Sequence, residues 1–266
     1  MLKVNLDHRR NVPQSKNGPD VYDPYAPSLL ASFRPAPELN DGHIHLWTIS
    51  KGTRTVSDYV PLLSRHELNR ASGMRSQQLF DRFVADHGAL RLLLSAYLET
   101  DPRTLQIDVN KYGKPHIDIP HCRLRFNMSH SGEITMIAVC LDAEVGVDVE
   151  AVRPIAEWEE IAASHFSSQE NESLRAEGSR TRVYAFFRCW TRKEAFIKAI
   201  GMGLSLPLDS FTVTTTMTEP PALLHCAWDP EAVLRWSLIH LEPANGHVGA
   251  VAVKGTDWSV QHFTWP

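Results

Sequence analysis

"RVYAFFRCWTRKEAFIKAIGMG", Arg182 to Gly203, is the stretch from which the fold is read. At roughly 100° per residue, Val183, Phe186, Phe187, Trp190 and Ile197 fall on one apolar stripe, the pattern of a helix laid on a core. Gly201 and Gly203 provide its stop. Glu194 falls within that stripe, and Lys198 sits at its edge one turn later. A carboxylate on an apolar face is costly unless it meets a cation or a hydrogen-bond network. A plain Glu194–Lys198 pair is worth only about 0.3–0.5 kcal/mol, too little to explain a glutamate at that position.

Working back along the chain, "GVDVE" (Gly146 to Glu150) reads as a strand with Val147 and Val149 on one face and Asp148 and Glu150 on the other. Two readings are open from these five residues: acids facing solvent beside basic side chains, or an oxygen-rich site sharing a divalent cation. "FNMSHSG" (Phe126 to Gly132) gathers Ser129, His130 and Ser131 beside a glycine, either as a phosphate-binding loop or as a polar strand end. "YGKPH" sets Lys114 on a turn bounded by Gly113 and Pro115. His43 and His45 alternate on "HIHLWTIS", but no nearby cysteine or third histidine completes a metal site, so they are expected to be half-exposed strand residues. No P-loop or dinucleotide-binding glycine pattern is present.

The chain has 266 residues, 43% hydrophobic and 22% charged, enough to bury a substantial core. A formal net charge of −4 gives no global basic field of the kind that drives nucleic-acid binding. Four scattered cysteines without a CxxC pair fit a reducing compartment, and the absence of a long apolar run predicts no membrane span, so the cytoplasm is the expected location. Residues 1–40, with "NVPQSKNGPDVYDPYAPSLLASFRPAPELND", read as an irregular proline-rich arm packed on the body through its aromatics. "SRHELNRASGMRSQQLFDRFVADHGALRLLLSAYLE" predicts one or two helices. Short strands follow, among them "EITMIAVCL" and "VGVDVE", which the polar "DAE" would join as a hairpin. A helical stretch is expected over about 157–175, then the loop "RAEGSRTR", the long helix, and a mainly strand remainder in which "AVLRWSLIHLE" is one strand. Each half thus runs strand, helix, strands.

Taken in order, "GKP", "FNMSHS", "GVDVE" and "WTRKEAFIKAIGMGLSLPLDSF" make the chain resemble the Sfp-like 4'-phosphopantetheinyl transferases over about residues 112–213. "DRFVADHGALRLLL" looks like that family's first long helix. The resemblance implies an α+β fold with a pseudo-twofold repeat: two similar halves, 41–143 and 144–266, each a helix packed on a small antiparallel sheet, with the active site in the cleft between them. It implies Mg²⁺ at Asp148, Glu150 and Glu194, with coenzyme A contacted by Lys198, Lys114, Ser129, His130, Arg82, Arg75 and Arg70. By the same resemblance, the partner is an acyl or peptidyl carrier protein that docks an acidic helix. The reaction moves the phosphopantetheine arm of coenzyme A to a carrier serine and releases adenosine 3',5'-bisphosphate. Asp148, Glu194 and Lys198 are the expected catalytic groups, Glu194 taking the serine proton directly or through a bound water. A monomer is expected, because the two halves form the cleft within one chain. Two other classes are kept in view: a non-catalytic coenzyme A or nucleotide-binding module of the same fold, and a magnesium-dependent phosphohydrolase.

Overall fold

The structure is a computed structural model that describes residues 35–50 and 55–265. Of the arm expected over 1–40, residues 1–34 lie outside the described residues, and 35–40 carry neither helix nor strand. In chain order come β1 (His43–Ser50), α1 (Val56–Tyr59), α2 (Arg65–Ser72) and α3 (Gln77–Leu98). Next are β2 (Ile107–Val109), β3 (Pro115–Ile117), β4 (Leu124–Ser131), β5 (Ile134–Leu141) and β6 (Val145–Ala151). Then follow α4 (Trp158–His165), α5 (Ser168–Ala176), α6 (Ser179–Ile200), β7 (Phe211–Val213) and β8 (Leu223–Cys226). The chain closes with α7 (Ala232–Arg235), β9 (Trp236–Leu241), β10 (His247–Lys254) and β11 (Ser259–Trp265). This is an α+β fold.

The larger sheet has the order β11-β1-β5-β4 and the smaller one β6-β10-β9, both antiparallel except that β11 runs parallel to β1, Ser259 opposite His43. Side-chain alternation sorts the layers. One face of the larger sheet, with Trp47, Phe126, Ile137 and Val139, packs against Leu90, Leu93 and Leu94 of α3. The other face, with Ile44, Leu46, Met136 and Ala138, meets Val147, Val149, Val251 and Val253 of the smaller sheet. The far side of the smaller sheet, with Val248, Ala250 and Ala252, carries Ala195, Phe196 and Ala199 of α6.

Two features hold α6 in place. A Cβ added at Gly146 would stand 2.1 Å from the Ala195 carbonyl oxygen and 2.4 Å from the Ala199 nitrogen, so the helix rides on the bare backbone of β6. Deeper in, Lys193 and Glu170 form a fully buried pair, Nζ to Oε2 at 2.8 Å. Lys193 Nζ also donates to the carbonyls of Leu208 at 2.7 Å and Phe211 at 2.6 Å, while Glu170 Oε1 accepts from the Val213 N–H at 2.7 Å. Every proton of that ammonium is used, which is what makes such a pair tolerable in a core.

Several expectations change. β5 and β6 are not a hairpin: β5 pairs with β1 and β4, and β6 pairs with β10 in the other sheet. Crossing between sheets lets Val145, Val147 and Val149 bury between the layers while the acids turn toward α6. The hairpin is instead β4–β5, with Ser131 opposite Ile134. The stretch 157–175 breaks at Ser167, whose hydroxyl caps α5. α6 begins at Ser179, inside the expected loop, and Ala232–Arg235 is helical where a strand was expected. His45 is fully buried, its Nδ1 2.7 Å from the Tyr97 hydroxyl, and burial keeps its pKa low.

Gly146→Ala should lower unfolding free energy in urea by about 1–3 kcal/mol through overpacking, and Lys193→Met by about 3–5 kcal/mol by stranding Glu170 in the core. Changes below about 0.5 kcal/mol, the range of neutral surface substitutions, would mean that α6 is not seated as described.

Candidate active site

Strand alternation on β4 sends Ser129 and Ser131 to the side that β6 and α6 share, and alternation on β6 sends Asp148 and Glu150 there too. From α6, Trp190, Glu194 and Lys198 follow one another at i, i+4 and i+8. With Met128, Ser129, His130, Asp148 and Glu150 these three line a pocket of about 410 Å³. Lys198 Nζ donates to Asp148 Oδ1 at 2.6 Å and to Ser129 Oγ at 3.0 Å, and Ser129 Oγ donates on to Asp148 Oδ1 at 2.8 Å. Ser131 Oγ donates to Glu150 Oε2 at 2.9 Å and accepts the Ala151 N–H. Burial, then the charges of Asp148 and Glu150, push the Glu194 carboxyl above its ordinary pKa, against the opposing pull of Lys198 and His165.

α6 is buried on nearly every side, so Glu194 does not occupy a covered apolar stripe as the periodicity suggested; it lies on the partly open line that faces the pocket. Lys198, one turn on, is bonded across to Asp148, and its positive charge opposes the effect of the acids on Glu194.

Among the described residues, no three His, Cys, Asp or Glu side chains enclose a metal by themselves. The donor set still suits a hard divalent ion. Asp148 Oδ2 is buried without a hydrogen-bond partner among the described residues, and Glu194 feels the repulsion of two neighbouring carboxylates. Magnesium characteristically takes one or two carboxylates and completes its shell with water and phosphate oxygens, so an open, oxygen-rich pocket fits it.

Of the expected coenzyme A contacts, Ser129, His130 and Lys198 reach this pocket. Arg82 lies nearby on α3, donating to the Gly132 carbonyl, with its Nε 4.0 Å from Asp86 Oδ2. Lys114 is elsewhere: its Nζ donates to Glu144 Oε2 at 2.7 Å and to the Ala199 carbonyl at 2.6 Å, tying down the last turn of α6. Arg70 stacks on Phe83, Arg75 is exposed, and neither lines the pocket. A larger cavity of about 720 Å³ adjoins Arg82, Asp86, Tyr59 and Leu79 but is lined by none of the three pocket acids. Asp86, which no sequence motif marks, stands behind His130 at 3.3 Å, and the serine alternation on β4 matches the acid alternation on β6, placing Ser131 against Glu150.

Residues 144–252 match the model of the 4'-phosphopantetheinyl transferase superfamily, a span that contains Asp148, Glu150, Glu194 and Lys198. The chain is 34% identical over 219 residues to 4'-phosphopantetheinyl transferase HetI of Nostoc sp., a match covering 81% of this chain and 89% of HetI. The chain belongs to the 4'-phosphopantetheinyl transferase superfamily. Another transferase of the superfamily, Sfp of Bacillus subtilis, is 39% identical over 126 residues, covering 47% of this chain and 54% of Sfp. A solved ACPS–CoA complex from Chronobacterium ammoniagenes is 18% identical, covers 43% of this chain and 98% of that one, and superposes at a TM-score of 0.33, too low to bear on this transferase's site.

The pH dependence of Glu194 has a definite sign. Its folded pKa lies above the ordinary 4.5, so the folded state binds that proton more tightly, and stability from this group is lost as pH rises from about 4.5 through the folded value. Without added metal, Glu194→Gln should therefore unfold at higher urea than the wild type at pH 8, and the gap should close below about pH 4, where the glutamate is protonated in both states. A variant less stable than wild type at pH 8 would contradict this reading of the pocket's electrostatics.

Proposed function

We propose that this transferase moves the 4'-phosphopantetheine arm of coenzyme A to a serine of an acyl or peptidyl carrier protein and releases adenosine 3',5'-bisphosphate. The observation that carries this reading is the grouping of Asp148, Glu150, Glu194, Lys198 and Ser129 in one pocket. Mg²⁺ held by Asp148, Glu150 and Glu194 would neutralise charge on the pyrophosphate of coenzyme A. Lys198, already fixed by Asp148 and Ser129, offers its ammonium to the phosphate oxygens, where negative charge builds up in the transition state.

In the step itself, the carrier serine oxygen attacks the phosphorus that bears the pantetheine. The bond from that phosphorus to the adenosine-side bridging oxygen breaks, and the serine proton leaves to Glu194, directly or through a bound water. The glutamate's place on the open line of α6, in the pocket that would receive the phosphates, suits it to the task. We assign the phosphates of coenzyme A to Lys198, Ser129, His130 and Arg82. Lys114 serves to anchor α6, and Arg70 and Arg75 are left to an outer rim.

The pseudo-twofold reading assigns 41–143 and 144–266 as two helix-on-sheet halves with the pocket between them, β11 being the strand that crosses back to the first half. Four free cysteines among the described residues suit a reducing cytosol, and no helix of the described residues is long and apolar enough to cross a membrane. The protein is read as a monomer that serves carrier-dependent biosynthesis of secondary metabolites and has no nucleic-acid partner.

Intact-protein mass spectrometry of an apo carrier domain incubated with the protein, coenzyme A and Mg²⁺ tests the reading. A gain of one phosphopantetheine group is expected, with Lys198→Ala slower by about 10²–10³-fold, the usual loss when one transition-state donor is removed. Coenzyme A binding without transfer to any of several carriers would point to a binding module. Consumption of coenzyme A with no carrier present would point to a phosphohydrolase.

A further inference from the structure

Asp86 is a carboxylate that the site description leaves without a task. Its side chain is 10% exposed, Oδ1 accepts the Thr135 hydroxyl at 2.6 Å, and Oδ2 has no hydrogen-bond partner among the described residues. That oxygen lies 4.0 Å from Nε of Arg82 and, closer, 3.3 Å from Nδ1 of His130, whose ring is half-exposed at the pocket edge. A neutral imidazole has one N–H and one lone pair. If Nε2 holds the proton, the Nδ1 lone pair faces the carboxylate and is repelled. If Nδ1 holds it, Asp86 is satisfied, but a lone pair on Nε2 is then presented to whatever enters the pocket. An anionic phosphate meets that lone pair unfavourably, and only the imidazolium, which donates from both nitrogens, satisfies Asp86 and a phosphate together.

We propose that Asp86 is a positioning residue that couples phosphate binding to protonation of His130. This rests on the reading that the phosphates of coenzyme A occupy the pocket. Besides Asp86, the charged and titratable groups facing the imidazole are Arg82 and His87 on α3 and Lys198 on α6. Burial and the charges of Arg82, Lys198 and His87 outweigh Asp86 and keep the imidazole below its ordinary pKa in the free protein. The ring is therefore neutral near pH 7 before the ligand arrives and takes up a proton as the ligand enters.

The test is an NMR titration of the His130 Cε1–H resonance between pH 5 and 9 on the full chain, with and without coenzyme A, the resonance being assigned by its loss in His130→Gln. Binding should move the titration midpoint upward by about one pH unit or more, and by linkage coenzyme A affinity should fall about tenfold or more as pH rises across that interval. In Asp86→Asn the midpoint should move much less, although the amide can still accept from Thr135. Coenzyme A that binds while His130 titrates at an unchanged midpoint overturns the coupling and leaves the transferase reading intact. An unchanged response in Asp86→Asn overturns the part given to Asp86. No binding isotherm for coenzyme A at any pH overturns both this proposal and the substrate on which it rests.

Discussion

Three carboxylates, Asp148, Glu150 and Glu194, share a pocket with the ammonium of Lys198, and their mutual repulsion is the constraint around which the rest of the molecule is arranged. Left to relax, such a cluster would spread into solvent. It cannot, because two acids are fixed to a strand packed between layers and the third to a helix pressed onto the same strand. The strain is concentrated at one spot and offset by a scaffold that does not move with it.

That scaffold is built from adjacent residues with opposite tasks. Lys193 turns into the core and binds Glu170 and two carbonyls, while Glu194, the next residue, turns out to the pocket. Fixing one side chain fixes the direction of the other, since consecutive helix residues diverge by about 100°. Gly146 sets the distance between α6 and β6, and Lys114 closes the far end of α6 through the Ala199 carbonyl. The pocket geometry is thus specified by contacts made outside it.

Much of this was legible in the sequence wherever the signal was periodic. The valine–acid alternation of "GVDVE" put Asp148 and Glu150 on one face, and the i, i+4 spacing put Glu194 and Lys198 on neighbouring turns. Pairing across long separations was not legible. The short "DAE" link resembles a hairpin turn, yet the chain uses it to pass between sheets, because three valines need burial on the side away from the acids. The burial of His45 is hidden for the same reason: nothing near it in sequence announces Tyr97, its hydroxyl partner from the end of α3. Lys114 lies near the other motifs along the chain but folds against the C-terminal turn of α6. Asp86 meets His130 and Thr135 only when α3 packs beside β4 and β5.

The most direct test of this account is a double-mutant cycle in urea unfolding, using wild type, Asp148→Asn, Glu194→Gln and the double variant, each without and with saturating Mg²⁺. Without the ion the account predicts a repulsive coupling between the two carboxylates of about 0.5–3 kcal/mol, the range seen for residues in direct interaction. With the ion the coupling should change sign, each acid becoming worth more when the other is present. A coupling near zero under both conditions would contradict the claim that these carboxylates are held together for a shared cation.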